Sequence, residues 1–336
     1  MLNFDEDRFL SSQRGALAHG PGLHDVVAEH LARGGDSLFF LGAGGAGILM
    51  TPAADLLTRD SALSTYCVPP AELMALGSTH LNARSLVVIP SRSGDTVEAL
   101  DVLKYSHRLG AKVVALTGTA GSPLGEQADV NFTNLVADDN SSESFYLQSL
   151  LIALSAMDVR GELSDYQELI TELQGLPEFL LEAKRNFEAK APHVASAIAD
   201  SPYHLLVGAG STWPEAFYFG MCILEEMQWI RTRPVHAAHF FHGPLELVEE
   251  GISCLLFKGE DGSAHLVDRV AQFVTAYGGR LTVLDSADIV LGGSPRMRSL
   301  ISPIILATVL ERVSTHLEVI RDHPLTTRRY YRRVSY

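Results

Sequence analysis

The chain has 336 residues, 46% of them hydrophobic and 20% charged, an ordinary globular composition with apolar material for more than one core. Its 26 basic and 40 acidic side chains leave a formal charge of −14, which points away from nucleic-acid and anionic-membrane partners. An anionic small substrate on such a surface needs a local cradle of backbone N–H groups, hydroxyls or arginines.

Domains centre near roughly 100–150 residues, so two are expected. Cys67, Cys222 and Cys254 are too scattered for a disulfide framework or a zinc knuckle and suggest a reducing compartment. The opening MLNFDEDRFLSSQRGAL is acidic and interrupted by polar residues, unlike a signal peptide. No run reaches the ~18 consecutive apolar residues of a membrane span. The expected location is cytoplasmic.

The first strand pattern is 37–41 (SLFFL), running into the glycine-rich turn Gly42-Ala43-Gly44-Gly45-Ala46-Gly47. A second apolar run, 86–89, ends at Pro90 and opens into Ser91-Arg92-Ser93-Gly94-Asp95-Thr96, after which Val97, Leu100, Val102, Leu103 and Tyr105 mark a helix that Gly110 stops. A third strand pattern, 112–116, ends in Thr117-Gly118-Thr119. Short buried strands alternating with helices imply βαβ units and a parallel sheet, whose ligands bind beyond the carboxyl ends of the strands.

An apolar helix pattern over 145–157 and a more charged helical region over about 165–199 follow, the latter a natural connector. The strand–loop pattern then returns: 204–207 leads into Gly208-Ala209-Gly210-Ser211-Thr212, 253–257 into Lys258-Gly259-Glu260-Asp261-Gly262, and 281–284 into Asp285-Ser286. Two glycine-rich turns, each after a strand and before a helix, suggest a duplicated architecture.

Ser91–Thr96 is the most informative stretch. Unsatisfied N–H groups at the helix start suit a phosphate, hydroxyls add donors, and Gly94 lets the backbone close in. The alternative is an ordinary helix cap by Ser93, Asp95 or Thr96, with Glu98 nearby. The turn 42–47 also resembles a dinucleotide fingerprint, but no strand ending in a ribose-binding carboxylate is evident about 20 residues on. A close-packing turn lining a sugar-phosphate pocket is the preferred reading.

The segment PEAFYFGMCILEEMQWI is apolar almost all round and reads as a buried helix. Within it Glu226 has Cys222, Ile223, Trp229 and Ile230 at helical neighbour positions, so its carboxylate is poised at a cavity, protonated, or paired with Arg231 or Arg233. Beyond lie His236, His239 and His242. Pro234 upstream and Gly243-Pro244 downstream predict an irregular segment, and no metal-binding signature such as HExxH appears. A histidine near such a glutamate reads better as an acid/base partner than as a metal ligand. The tail from Arg321 to Arg333 is basic and aromatic on an acidic chain, either a solvated terminus or a source of bidentate anion contacts.

Ser91-Arg92-Ser93-Gly94-Asp95-Thr96 resembles the phosphate loop of SIS (sugar isomerase) domains. Glu226 followed 16 positions later (242 − 226) by His242-Gly243-Pro244 resembles the glutamate and HGP segment of the isomerase part of glucosamine-6-phosphate synthase. The resemblance implies an α/β fold of two tandem SIS subdomains, each a parallel sheet flanked by helices in a flavodoxin-like three-layer sandwich. They would span 1–160 and 201–336, with a helical connector over 161–200 and a C-terminal tail entering the active site.

Three departures refine it. The chain opens at Met1-Leu2 without a glutaminase segment, which points away from a glutamine-using synthase. Ile223 replaces the synthase lysine one turn before the glutamate, and Ser142-Glu143-Ser144 stands where that family has Ser-Thr-Lys. With the tail His323-Pro324-Leu325-Thr326-Thr327-Arg328-Arg329-Tyr330, the chain is similar to the 6-phospho-fructosamine deglycases.

That resemblance implies Glu226 and His242 as the catalytic pair. It implies Gly44, Gly45, Ser91, Arg92, Ser93, Thr96, Ser142, Arg328 and Arg329 as phosphate- or substrate-binding residues. It implies no cofactor and no metal, a sugar phosphate joined to an amino acid as substrate, and a homodimer whose site His242 enters from its own or the neighbouring subunit. A sugar-phosphate isomerase or amino-sugar-phosphate deaminase of the same fold is the first alternative. A non-catalytic sugar-phosphate sensor is the second, although no basic helix-turn-helix segment accompanies it.

Overall fold

The structure is a computed structural model describing residues 1–136, 141–289 and 292–334. Contacts divide the chain into two compact units, Glu6–Glu178 and Phe179–Tyr336, the second also holding Met1–Asp5.

The first unit contains five parallel strands: β1 (Ser37–Phe40), β2 (Ser64–Cys67), β3 (Ser85–Ser91), β4 (Lys112–Thr117) and β5 (Val130–Thr133), in the order β2-β1-β3-β4-β5. Every residue of β1 and β3 is buried, as continuous apolar runs covered on both faces should be. On one face Phe39, Val87, Ile89 and Val113 meet Leu73, Ala99, Val102 and Leu103. The helix Ser141–Val159, packed by Gly20–Ala32 and Thr51–Asp60, is buried on nearly every side.

The second unit repeats the arrangement with β6 (Tyr203–Gly208), β7 (Arg231–His236), β8 (Ser253–Lys258) and β9 (Arg280–Asp285), in the order β7-β6-β8-β9 and again all parallel. Strand for strand this is the order of the first sheet without its fifth strand, so the duplication extends from loops to topology. Leu205, Val207, Cys254 and Leu256 pack against Val267, Val270, Val274 and Phe240. The N-terminal residues join this unit through polar bonds: the Leu2 N–H donates to Glu188 at 2.9 Å, and Arg312, fully buried, donates to the Leu2 carbonyl and to Glu188 at 2.8 Å.

Several elements depart from the sequence reading. β2, β5 and β7 were not expected; all three lie at sheet edges and are only partly covered, so they lack an apolar run. β2 is the strand sought for a ribose-binding carboxylate, and it ends in Cys67 instead. β7 ends at His236, where the segment read as irregular begins. Pro234 sits in the strand opposite Leu206, a position open to proline because one side of an edge strand needs no ladder donor.

The segment read as one buried helix is two pieces, preceded by a 3₁₀ turn Gly210–Thr212. These are an α-helix Trp213–Tyr218 and a wider π-type winding Phe219–Met227, closed by the Gln228 N–H bonding Ile223 O at 3.0 Å. Phe217 and Trp229 are each 37% exposed, so one side of this segment faces outward. The 27-residue helix Pro295–Arg321 is long and apolar enough, by composition, to cross a membrane, and 83% of its most apolar window is buried within the fold.

Candidate active site

In the first sheet the strand order reverses direction between β1 and β3, so the loops after these two strands flank a switch point at the carboxyl edge. After β1, Gly42 and Gly47 face each other so closely that a Cβ on Gly47 would lie 2.1 Å from Gly42 O, the close packing anticipated for this turn. Gly44 adopts φ +56° and Gly45 begins the short helix Gly45–Ile48.

After β3, Ser91 Oγ accepts the Gly94 N–H at 3.1 Å and lies 3.3 Å from Thr96 Oγ. Gly94 has φ +65°, and a Cβ there would lie 2.3 Å from Ser122 Oγ. Arg92 is held through its carbonyl, which accepts from the Gly118 N–H and the Thr119 hydroxyl at 3.0 Å each. Thr96 precedes the helix Val97–Arg108 in extended conformation and makes no side-chain cap bond to it. The loop therefore brings Ser91, Ser93 and Thr96 to one helix start without Thr96 acting as its cap. Ser142 lies at the head of the helix Ser141–Val159, where its hydroxyl donates to Glu143 at 3.2 Å.

The matching position of the second sheet is already filled. The Ser211 N–H and hydroxyl donate to Asp261 Oδ2 at 2.9 and 2.8 Å, and the Ser263 N–H and hydroxyl donate to Oδ1, the former at 2.8 Å. Burial works against this carboxylate, but the bonds from Ser263 and Ser211 prevail and hold its pKa below the usual range. In the second unit the loops after β6 and β8 are thus joined by an internal carboxylate. The sequence reading passed over Asp261; the signal was the Asp-Gly-Ser turn after β8.

Glu226 stands at the end of the π-type winding, its side chain 34% exposed. The wider turn and the outward-facing side of the segment bring it to the wall of an open groove. The groove has a volume of about 1140 Å³ and is lined by Glu225, Glu226, Trp229, Arg231, Arg328 and Arg329 among others. Glu226 Oε1 accepts from Arg328 Nε at 2.9 Å, and Arg328 also donates to the Leu325 and Thr327 carbonyls at 2.6 and 3.0 Å. Its ion-pair partner is thus in the tail, not the Arg231 or Arg233 considered from local spacing. Glu225 instead accepts the Thr232 hydroxyl at 2.6 Å. Desolvation, reinforced by Glu226, Glu215 and Glu225, pushes the neighbouring Cys222 thiol up to about 12, so this cysteine stays protonated and unreactive.

The tail is seated by further contacts. The Gln228 side chain donates to His323 O at 2.7 Å, and His323 meets Trp229 edge-on at 4.5 Å. The Arg329 guanidinium lies 3.9 Å above the Trp229 ring. Trp229 itself has φ +55°, a conformation that bulky residues seldom adopt and that tends to persist at functional sites.

His242 is exposed, beyond the short helix Ala237–Phe240, and does not line this groove. Along the chain Glu226 precedes β7 and His242 follows it. His236 uses Nδ1 to accept the Ala238 N–H at 3.1 Å and packs against Trp213 and His239. Among the described residues no group of three or more His, Cys, Asp or Glu side chains is arranged to hold a metal ion.

Residues 33–158 match the model of the SIS domain. Over 90% of its length the chain is 27% identical to the fructosamine deglycase FrlB of Bacillus subtilis (strain 168), covering 93% of that protein. Over 94% of its length it is 28% identical to the fructoselysine 6-phosphate deglycase of Escherichia coli O157:H7, covering 91%. The crystal structure of a candidate phosphosugar isomerase from Salmonella typhimurium LT2 superposes with a TM-score of 0.86 at 25% identity, covering 94% of this chain and 97% of that one. The chain carries a SIS domain over residues 33–158, inside a two-sheet architecture that it shares along nearly its whole length with a solved phosphosugar-isomerase-like protein.

Proposed function

We propose that this protein is a sugar-phosphate deglycase. It would convert a phosphorylated Amadori compound, the fructosamine 6-phosphate of an amino acid, plus water, into hexose 6-phosphate and the free amino acid. The observation that carries this reading is a carboxylate, Glu226, on the wall of a groove large enough for a sugar with its amino-acid appendage. Similarity to named deglycases over nine-tenths of the chain supports it.

In this reading Ser91, Ser93 and Thr96 hold the phosphate, aided by the helix start they precede. His242 assists opening of the cyclic sugar. Glu226 removes a proton from C1, giving an enaminol, and returns it at C2. The resulting Schiff base at C1 is hydrolysed by water, which supplies the aldehyde oxygen and releases the amine. The sequence needs one base, one proton shuttle and an anion anchor, and as written it transfers no electrons to a cofactor.

A homodimer in which His242 reaches the groove of a second copy accords with this reading, since His242 does not line the groove of its own chain. Three free cysteines agree with a cytoplasmic setting. An aldose–ketose isomerase is the second reading, favoured by the similarity to the Salmonella structure. Incubation with a panel of phosphorylated Amadori compounds, assaying hexose 6-phosphate and free amino acid, tests the proposal. Interconversion of ketose and aldose phosphates without amine release would assign the isomerase instead.

A further inference from the structure

The groove beside Glu226 concentrates cations on a chain of net charge −14, with Arg231, Arg321, Arg328 and Arg329 all lining it. Two of the four are engaged. Arg321 donates to the Gln228 side chain at 3.2 Å and also to the Gln228 carbonyl, while Arg328 holds Glu226 and two tail carbonyls. Among the described residues neither Arg231 nor Arg329 has a hydrogen-bond or ion-pair partner. Arg329 is nonetheless positioned, because its guanidinium carbon lies over Trp229, 3.9 Å from the ring centre. Stacking uses the face of a guanidinium and leaves its edge, the donor fork that matches a carboxylate, for a ligand. Trp229 holds the ring in place from a backbone at φ +55°, and His323 braces it from the side.

We propose that Arg329, positioned by Trp229 and assisted by Arg231, binds the carboxylate of the amino acid carried by the substrate. The assignment rests on the deglycase reading and names the half of the substrate that reading leaves undefined. The chemistry places the carboxylate here. Glu226 must act at C1, the amine nitrogen is bonded to C1, and in an α-linked adduct the carboxylate is two bonds beyond that nitrogen. A cation serving that carboxylate has to share the groove with Glu226, as Arg329 and Arg231 do. The same cations would also suit a phosphate, so the test separates the two anions.

The probes are the fructosamine 6-phosphates of glycine and of methylamine, which differ only in the carboxylate. Wild-type protein is expected to favour the glycine adduct in kcat/KM by about 10- to 100-fold, as a bidentate charge-assisted contact implies. In Arg329→Gln that ratio falls towards one, and Arg329→Lys, which keeps the charge but loses the fork, lies between. Equal loss on both probes would assign Arg329 to the phosphate or to seating of the tail and overturn the proposal. Absence of preference in the wild type would overturn it while leaving the deglycase function standing. Turnover of neither probe would overturn the assignment to an α-linked carboxylate beside C1 and leave the deglycase function to the panel of Amadori compounds.

Discussion

Arg328 Nε donates to Glu226 Oε1 at 2.9 Å across 102 positions of sequence, joining the C-terminal tail to the carboxylate read as the catalytic base. The pair is partly shielded, with the two side chains 16% and 34% exposed, and Arg328 is fixed in turn by the carbonyls of Leu325 and Thr327. Closing the tail and orienting the carboxylate are therefore one event. Arg328→Ala is expected to free the tail, read as faster proteolytic cleavage beyond residue 321, and to lower turnover at the same time. Cleavage at the wild-type rate would show that the tail is seated without this pair.

Glu226→Gln separates catalysis from ion pairing. The amide oxygen still accepts from Arg328 but cannot take the C1 proton, so turnover should fall by about two to four orders of magnitude. Substrate binding and melting temperature should change little. A lower melting temperature with a fully active folded fraction would make Glu226 a structural partner of Arg328 and turn attention to Glu225.

Thr96 makes no cap bond to the helix that follows it, so Thr96→Ala should act on binding rather than on folding, and Ser93→Ala is expected to weaken binding as well. Each lost charge-assisted bond is worth roughly 1.5–3 kcal/mol, which raises the apparent KM about tenfold to a hundredfold. Unchanged kinetics in both variants would leave the loop without a phosphate role.

The central strands were legible because burial on both faces demands continuous apolar runs, as in SLFFL and LVVI. Three of the four edge strands were not, since β2, β5 and β7 carry mixed residues and one contains Pro234. The helix Pro295–Arg321 was hidden by Pro303 and by hydroxyl residues. The structure shows how these are buried: Ser302, Thr308 and Ser314 donate to the carbonyls four residues back at 2.7 to 2.8 Å. Of the candidate residues, the loop 91–96 and Glu226 were singled out from local composition. The partner of Glu226 could not be, because spacing along a helix says nothing about an arginine 102 positions away. Nor could the stack of Arg329 on Trp229, which depends on a left-handed residue at the end of the winding.

Asp261 supplies the charge that fills the second switch point, accepting from the N–H and hydroxyl groups of both Ser211 and Ser263. Asp261→Ala would strand partly buried donors and should cost on the order of 1 kcal/mol of stability in denaturant unfolding. Addition of inorganic phosphate should restore part of that loss if the emptied loop accepts an anion. A variant as stable as the wild type would mean that the loop needs no internal anion.

His204 yields a prediction about acid. It lies in β6, wholly buried, with Nδ1 2.8 Å from Ser253 Oγ and no partner for Nε2 among the described residues. Desolvation lowers its pKa from 6.5 to about 4, against the opposing pull of the Ser201 and Ile198 carbonyls and with Arg280 adding to the fall. A histidine depressed in the folded state is neutral in both states above pH 6.5, so nothing is lost there. Below 6.5 the unfolded chain takes up a proton that the folded chain refuses until about 4. Stability must therefore fall with pH across that window, by roughly 1.4 kcal/mol per pH unit from this residue. His204→Gln keeps a partner for Ser253 and does not titrate. The wild type should be the more stable protein near pH 7, and its advantage should shrink steadily between pH 6.5 and 4 in thermal or denaturant melts. Parallel curves for the two proteins over that interval would mean that His204 is protonated as readily inside the fold as outside it.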